Sequence, residues 1–222
     1  MESHSYDGSN NQRPLRAIIL GGRTRDFHQF EIMGPLMKEA LEQKGLCVEL
    51  TEDRDILLEH NLAKYDVLVI YTTGDHLNQD QVAGLVRVVA AGKGVVGLHG
   101  ATASFKENHE YVALMGGKFI GHPPIQQLSI RVADAQHPIT AGIENFSVVD
   151  ELYLIDCDPT TFQVLLDCEH EGKRVPVAWV RPFGKGRVFY LSLGHGPKTH
   201  THPIYQELVY RGIRWAAASG AE

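Results

Sequence analysis

Two regimes of hydrophobic patterning divide the chain. Compact apolar runs alternate with helix-spaced stretches in the first half, and single-residue alternation takes over in the second. Residues 15–20 (LRAIIL) predict a first strand, opened by Pro14 and closed by Gly21 and Gly22. A helix follows over about 28–44, because Phe30, Met33, Met37, Ala40 and Leu41 share one face and Gly45 stops it. Residues 46–50 predict a short strand, and 54–63 a short helix. Residues 65–71 (YDVLVIY) are almost wholly apolar, as a strand covered on both faces should be. Asn78 and Gln81 form a capping-box pair before a helix that buries Val82, Leu85, Val86 and Val89 and ends at Gly92. Residues 95–98 are the next strand, running into a sharp turn and a helix start after His99.

The second half predicts strands at 126–133, 162–167, 175–181 and 187–192. The last two are joined by a hairpin-like turn, Phe183-Gly184-Lys185-Gly186. A closing helix over 203–217 would bury Leu208, Val209, Ile213 and Trp215. The strand–helix alternation of the first half predicts a parallel, doubly wound sheet. The expectation is therefore one α/β domain with a mostly parallel central sheet, flanked by helices and extended by antiparallel strands. Residues 1–13 are polar and read as a flexible leader, with the domain over 14–222.

Composition narrows the function classes. The chain has 222 residues, 43% hydrophobic, with a formal net charge of −6. That charge argues against nucleic acid or an anionic membrane as partner. No apolar run approaches the ~20 residues that cross a bilayer. The expected partner is a small molecule, and a homo-oligomer is compatible with the sequence. Cys47, Cys157 and Cys168 are scattered and odd in number, which suggests a reducing cytoplasm and no disulfide framework.

The chemistry gathers at predicted strand ends, where open parallel sheets bind ligands. The first strand leads into GGRTRDFH, with Asp26 and His28, and the third into TTGDH, with Thr73. The fourth runs into GVVGLHGATASF, which lifts His99 where an α/β enzyme often places a nucleophile. A late strand runs into Gly194-His195-Gly196. His122 follows in GGKFIGHPP, and His137, Asp150 and Glu151 in ADAQHPITAGIENFSVVDELY. Bland readings stand beside these: a rigid turn at His137-Pro138, a solvated carboxylate pair at Asp150-Glu151, a satisfied core histidine at His99. Histidine both titrates near neutral pH and ligates metals. His99, His122 and His195 would thus share proton work with a carboxylate, or hold a divalent metal such as Zn with a coordination position left open. No phosphate-binding or dinucleotide glycine motif is present.

Five segments in order resemble the ThuA-like (trehalose utilisation) family. They are GVVGLHGATASF, LMGGKFIGHPP, ADAQHPITAGIENFSVVDELY, PVAWVRPFGKGRVFYLSLGHG and HPIYQELVYRGIRWAA. The resemblance runs from about Leu15 to Ala218. It implies a class I glutamine amidotransferase-like (flavodoxin-like) fold and a role in carbohydrate utilisation. Where amidotransferases carry a nucleophilic cysteine, this chain carries His99. Without a thiolate there is no acyl-enzyme route, so glutaminase activity is not expected.

Three functional readings result. The first is an enzyme acting on trehalose, a related disaccharide or a keto-sugar by acid/base or metal-assisted chemistry, of lyase, hydratase or isomerase type. His99, His195, His122 and Glu151 would be catalytic, and His28, Asp26, Thr73 and Asp150 would bind substrate. The second is a non-catalytic sugar-binding or regulatory module, with Trp179, Tyr153 and Phe105 as aromatic platforms. A hydrolase with a different nucleophile is a third.

Overall fold

The apolar runs of the first half become neighbouring parallel strands in the computed structural model, which describes residues 13–22, 28–74 and 76–218. Strand β1 (Arg16–Leu20) leads to helix α1 (Phe30–Glu42) and β2 (Cys47–Thr51). A single 3-10 turn (Arg54–Leu57) and the short α2 (Glu59–Leu62) lead to β3 (Val67–Ile70), α3 (Gln79–Ala90) and β4 (Gly94–Leu98). After α4 (His109–Met115) come β5 (Lys118–Gly121), β6 (Gln126–Val132), β7 (Phe146–Asp150) and β8 (Leu154–Asp156). Then follow β9 (Gln163–His170), β10 (Lys173–Phe183), β11 (Gly186–Leu191), α5 (Pro197–His200) and α6 (Pro203–Ala217).

Nine strands form one sheet in the order β2-β1-β3-β4-β11-β10-β9-β6-β7. The run from β2 to β11 is parallel, and the remainder is antiparallel. Strands β5 and β8 make a separate antiparallel ribbon. The period of two sends alternate side chains to opposite faces. Ala17 and Ile19 join Met33, Met37 and Ile213 on one side; Ile18 and Leu20 join Leu85, Val89 and Tyr111 on the other. This is the single-domain α/β architecture expected, mixed in its second half. No helix among the described residues is long and apolar enough to cross a membrane.

Several local expectations are corrected. Helix 54–63 is split at Leu58, whose backbone is extended. The strand at 65–71 shrinks to Val67–Ile70. No long helix starts at His99: one 3-10 turn (His99–Ala103) closes there, and α4 begins only at His109. The cause is Ser104, whose hydroxyl bonds the Thr72 and Gly100 carbonyls, followed by Phe105 with φ +51°. Strands β5, β7 and β8 were not foreseen, and Val86 and Trp215 are only partly buried. Residues 1–12 of the expected leader lie outside the described residues. Arg13, at its end, pairs with Asp66 at 2.6 Å. All three cysteines are free.

Gly100 sets how closely β3 and β4 approach at their carboxyl ends. A Cβ there would fall 2.1 Å from Thr73 Oγ1 and 2.5 Å from the Thr72 carbonyl oxygen. At Gly121 a Cβ would meet nothing within 4 Å. Gly100→Ala is expected to cost about 1–3 kcal/mol through forced displacement. Gly121→Ala should stay within about 0.5 kcal/mol of the parent. Urea unfolding of both variants checks the contrast.

Candidate functional site

The parallel strands all end on one rim, so the loops after β1, β3, β4 and β11 face each other. They carry His28, Thr73, His99 and His195. The backbone is left-handed at His99 (φ +40°) and at His28 (φ +55°). That region disfavours side-chain-bearing residues by about 1–3 kcal/mol, and such strain gathers at functional sites. Buried bonds hold the turn at His99. Tyr190 donates its hydroxyl to the His99 carbonyl at 2.9 Å, and Thr102 donates in turn to Tyr190 at 2.7 Å.

Four ligand-type atoms converge there. His28 Nε2, His99 Nε2, His195 Nδ1 and a Glu151 carboxylate oxygen lie within 4.8 Å of one another. His99 Nε2 is 2.8 Å from His28 Nε2, which is 3.0 Å from His195 Nδ1. Glu151 Oε2 stands 3.1 Å from His195 Nδ1, 3.4 Å from His99 Nε2 and 3.9 Å from His28 Nε2. Tetrahedral coordination with bonds of about 2.0–2.1 Å spaces ligand atoms about 3.3 Å apart. The observed separations bracket that value.

Partners behind the rings set which nitrogens face inward. His99 Nδ1 lies 2.6 Å from the Ser192 carbonyl, which only accepts, so Nδ1 carries the proton and Nε2 presents a lone pair. His28 Nδ1 bonds Thr73 Oγ1 at 2.8 Å. Tyr153 lies against the His99 ring at 4.2 Å between centroids. This outer set of partners is what fixes metal-binding histidines elsewhere.

The electrostatics follow from burial. His99 is 0% exposed, His28 8% and Glu151 6%. Burial, with the His99 and His195 imidazoles alongside, pushes His28 down to about 3. The hydrogen bond to Glu151 raises His195. Burial pushes Glu151 up, but the neighbouring His195 and His99 imidazoles together outweigh it and hold the carboxyl below its usual range. Among the described residues, neither Asp150 nor Glu151 pairs with a lysine or arginine.

The sequence-derived candidates divide by position. His99, His195 and Glu151 come together as expected. His122, expected beside His99 and His195 as a ligand, stands outside the four-atom cluster; its Nε2 faces the other Glu151 oxygen at 3.5 Å. It follows the exposed end of the β5 ribbon, whereas His28 lies beyond β1 of the main parallel sheet and takes the inner position. Thr73, expected to bind substrate, holds the His28 ring instead. Asp150 is 1% exposed and turned onto backbone N–H groups. Asp26 lies outside the described residues.

The aromatic platforms proposed for a binding module are core residues. Trp179 packs between Phe162 and Tyr190, and Phe105 packs on Tyr111. His137 caps a rigid turn, its Nδ1 accepting from Ile139 N–H at 3.2 Å. Sequence reasoning missed the groups behind the site. Tyr71 and His200 both donate to the Gly194 carbonyl, at 2.8 and 3.0 Å. Tyr71 closes an apolar strand at the right rim, a usable signal; nothing in PKTHTHP marks His200. A cavity of about 690 Å³ opens along the ends of β1–β3, lined by Gly22, Glu52, Arg54, His76 and Gln81.

Known proteins place this architecture. A ThuA-like protein from Parabacteroides merdae superposes with a TM-score of 0.81 at 19% identity, covering 92% of this chain and 90% of that one. A ThuA-like protein from Bacteroides uniformis gives 0.81 at 22% identity, covering 96% and 95%. A cytoplasmic protein of Salmonella typhimurium gives 0.68 at 13% identity, covering 91% and 99%. No curated protein matches the chain. The family model described as trehalose utilisation matches residues 16–216, and the chain accordingly belongs to the ThuA family.

Proposed function

We propose that His28, His99, Glu151 and His195 hold a divalent metal such as Zn in an enzyme that moves a proton on a sugar or keto-sugar. The observation that carries this reading is the convergence of three imidazole nitrogens and one carboxylate oxygen within 4.8 Å. Charge supports it too. Two carboxylates, Asp150 and Glu151, are buried without a lysine or arginine partner among the described residues. Asp150 is satisfied by backbone N–H groups, whereas the Glu151 charge meets only imidazoles, and a dication would balance it.

A bound dication would draw electron density from a substrate carbonyl oxygen and so acidify the neighbouring C–H. His122 would take that proton. Its Nδ1 donates to the Pro123 carbonyl at 2.9 Å, which leaves Nε2 as the basic nitrogen. A proton arriving on Nε2 would face Glu151 Oε1 at 3.5 Å. The broken C–H bond leaves its electron pair on the carbonyl oxygen, giving an enediolate that elimination, hydration and isomerisation share. The His122 side chain is 36% exposed, so substrate can reach it, while His99 is sealed at the base. With Trp179 and Phe105 in the core, the non-catalytic sugar-binding reading keeps only Tyr153, which packs on His99 and His122.

Two outcomes are expected. Elemental analysis of purified protein should find about one divalent ion per chain, retained in His122→Ala and lost in His99→Ala and His195→Ala. Metal-free wild-type protein after exposure to Zn, Mn and Co would sink the metal assignment. With a 3-keto-glucoside in D₂O, wild type should incorporate deuterium beside the keto group, and His122→Ala should do so about 10²–10⁴-fold more slowly. Exchange no faster than buffer alone would end the enzymatic reading on this substrate class, whatever the metal content.

A further inference from the structure

His195 and Glu151 reach the cluster on loops from different halves of the sheet. His195 follows parallel β11, and Glu151 follows β7, the edge strand of the antiparallel half. Gly194, which precedes His195, has φ +129°, a conformation that only glycine adopts readily.

One buried carboxylate bridges the two loops. Asp150 Oδ2 accepts from Gly194 N–H at 2.8 Å, and Oδ1 from His195 N–H at 3.1 Å. Oδ1 also accepts from Glu151 N–H at 2.7 Å. Three donors aimed at one carboxylate satisfy its oxygens without a cationic side chain. The far side of the same peptide is held as well, by Tyr71 and His200 on the Gly194 carbonyl. The Gly194 peptide is therefore gripped at both its N–H and its C=O, and the grip on the N–H belongs to the residue that immediately precedes Glu151.

We propose that Asp150 is a positioning residue: by grasping the backbone of Glu151, Gly194 and His195, its carboxylate sets the distance between the Glu151 and His195 side chains. The proposal deepens the metal-site reading and rests on it for its first test alone. Asn at this position has nearly the same volume, but it turns an NH₂ group toward N–H donors and loses one acceptor. The clamp should then open and His195 should swing away from Glu151. Supporting groups of this kind typically change metal affinity 10–100-fold.

The experiment titrates Co²⁺ into wild type, Asp150→Asn, Tyr71→Phe and Thr199→Val, following the visible absorption of the bound ion. Asp150→Asn should bind about 10–100-fold more weakly with an altered band shape. Tyr71→Phe, which leaves His200 on the Gly194 carbonyl, should weaken binding less. Thr199→Val removes a 3.4 Å bond to the Val149 carbonyl beside the clamp and should match wild type, so general loosening of β7 is separated from the clamp itself. Wild-type affinity and band shape in Asp150→Asn would overturn the proposal, as would wild-type behaviour in Tyr71→Phe should Asp150→Asn fail to fold. If wild type binds no metal, the metal reading fails, and crystal structures of the metal-free proteins decide on Asp150. The 3.1 Å contact between His195 Nδ1 and Glu151 Oε2 should be lost in Asp150→Asn, and its persistence there would refute the role.

Discussion

The bond from His99 Nδ1 to the Ser192 carbonyl is the constraint on which the rest of the site depends. It joins the end of β4 to the end of β11, two neighbouring parallel strands at the middle of the sheet. Because a carbonyl only accepts, the bond fixes the imidazole tautomer and turns Nε2 toward the rim. His28, His195 and Glu151 then gather around that nitrogen, each at a strand or loop end. The left-handed backbone at His99 is part of the same arrangement. A relaxed turn would aim the ring elsewhere, and the Tyr190 and Thr102 hydroxyls hold the strained one in place.

The site is graded from sealed to open. His99 is fully buried, the His195 side chain is 25% exposed, and that of His122 is 36% exposed. Glu151 lies across this gradient, with Oε2 turned to the three inner histidines and Oε1 to His122. Such a carboxylate separates two jobs. In the proposed reading the inner oxygen would complete the ligand set, and the outer one would face the base that exchanges protons with substrate.

Much of the fold was legible because its signals are local. The apolar runs at 16–20 and 67–70, the Asn78–Gln81 capping box and the closing helix all rest on patterns a few residues long. Strands β5 and β8 escaped because they are short and pair with each other outside the main sheet. Strand β7 lies at an edge, with Val149 facing solvent, so its alternation is weak. The site divides the same way. His99 and His195 directly follow strong strands and could be placed at the rim. His28 sits well past the end of β1, where sequence spacing no longer fixes direction, and it displaced His122 from the expected ligand set. The inward turn of Asp150 depends on N–H groups 44 residues away, which no local pattern reveals.

The central claim is that His28, His99, Glu151 and His195 share one metal ion. Anomalous diffraction at the zinc edge, from crystals grown with Zn²⁺, tests it most directly. The account predicts a single strong peak about 2.0–2.2 Å from His28 Nε2, His99 Nε2, His195 Nδ1 and Glu151 Oε2. No peak between those atoms, or one coordinated by His122 in place of His28, would contradict it.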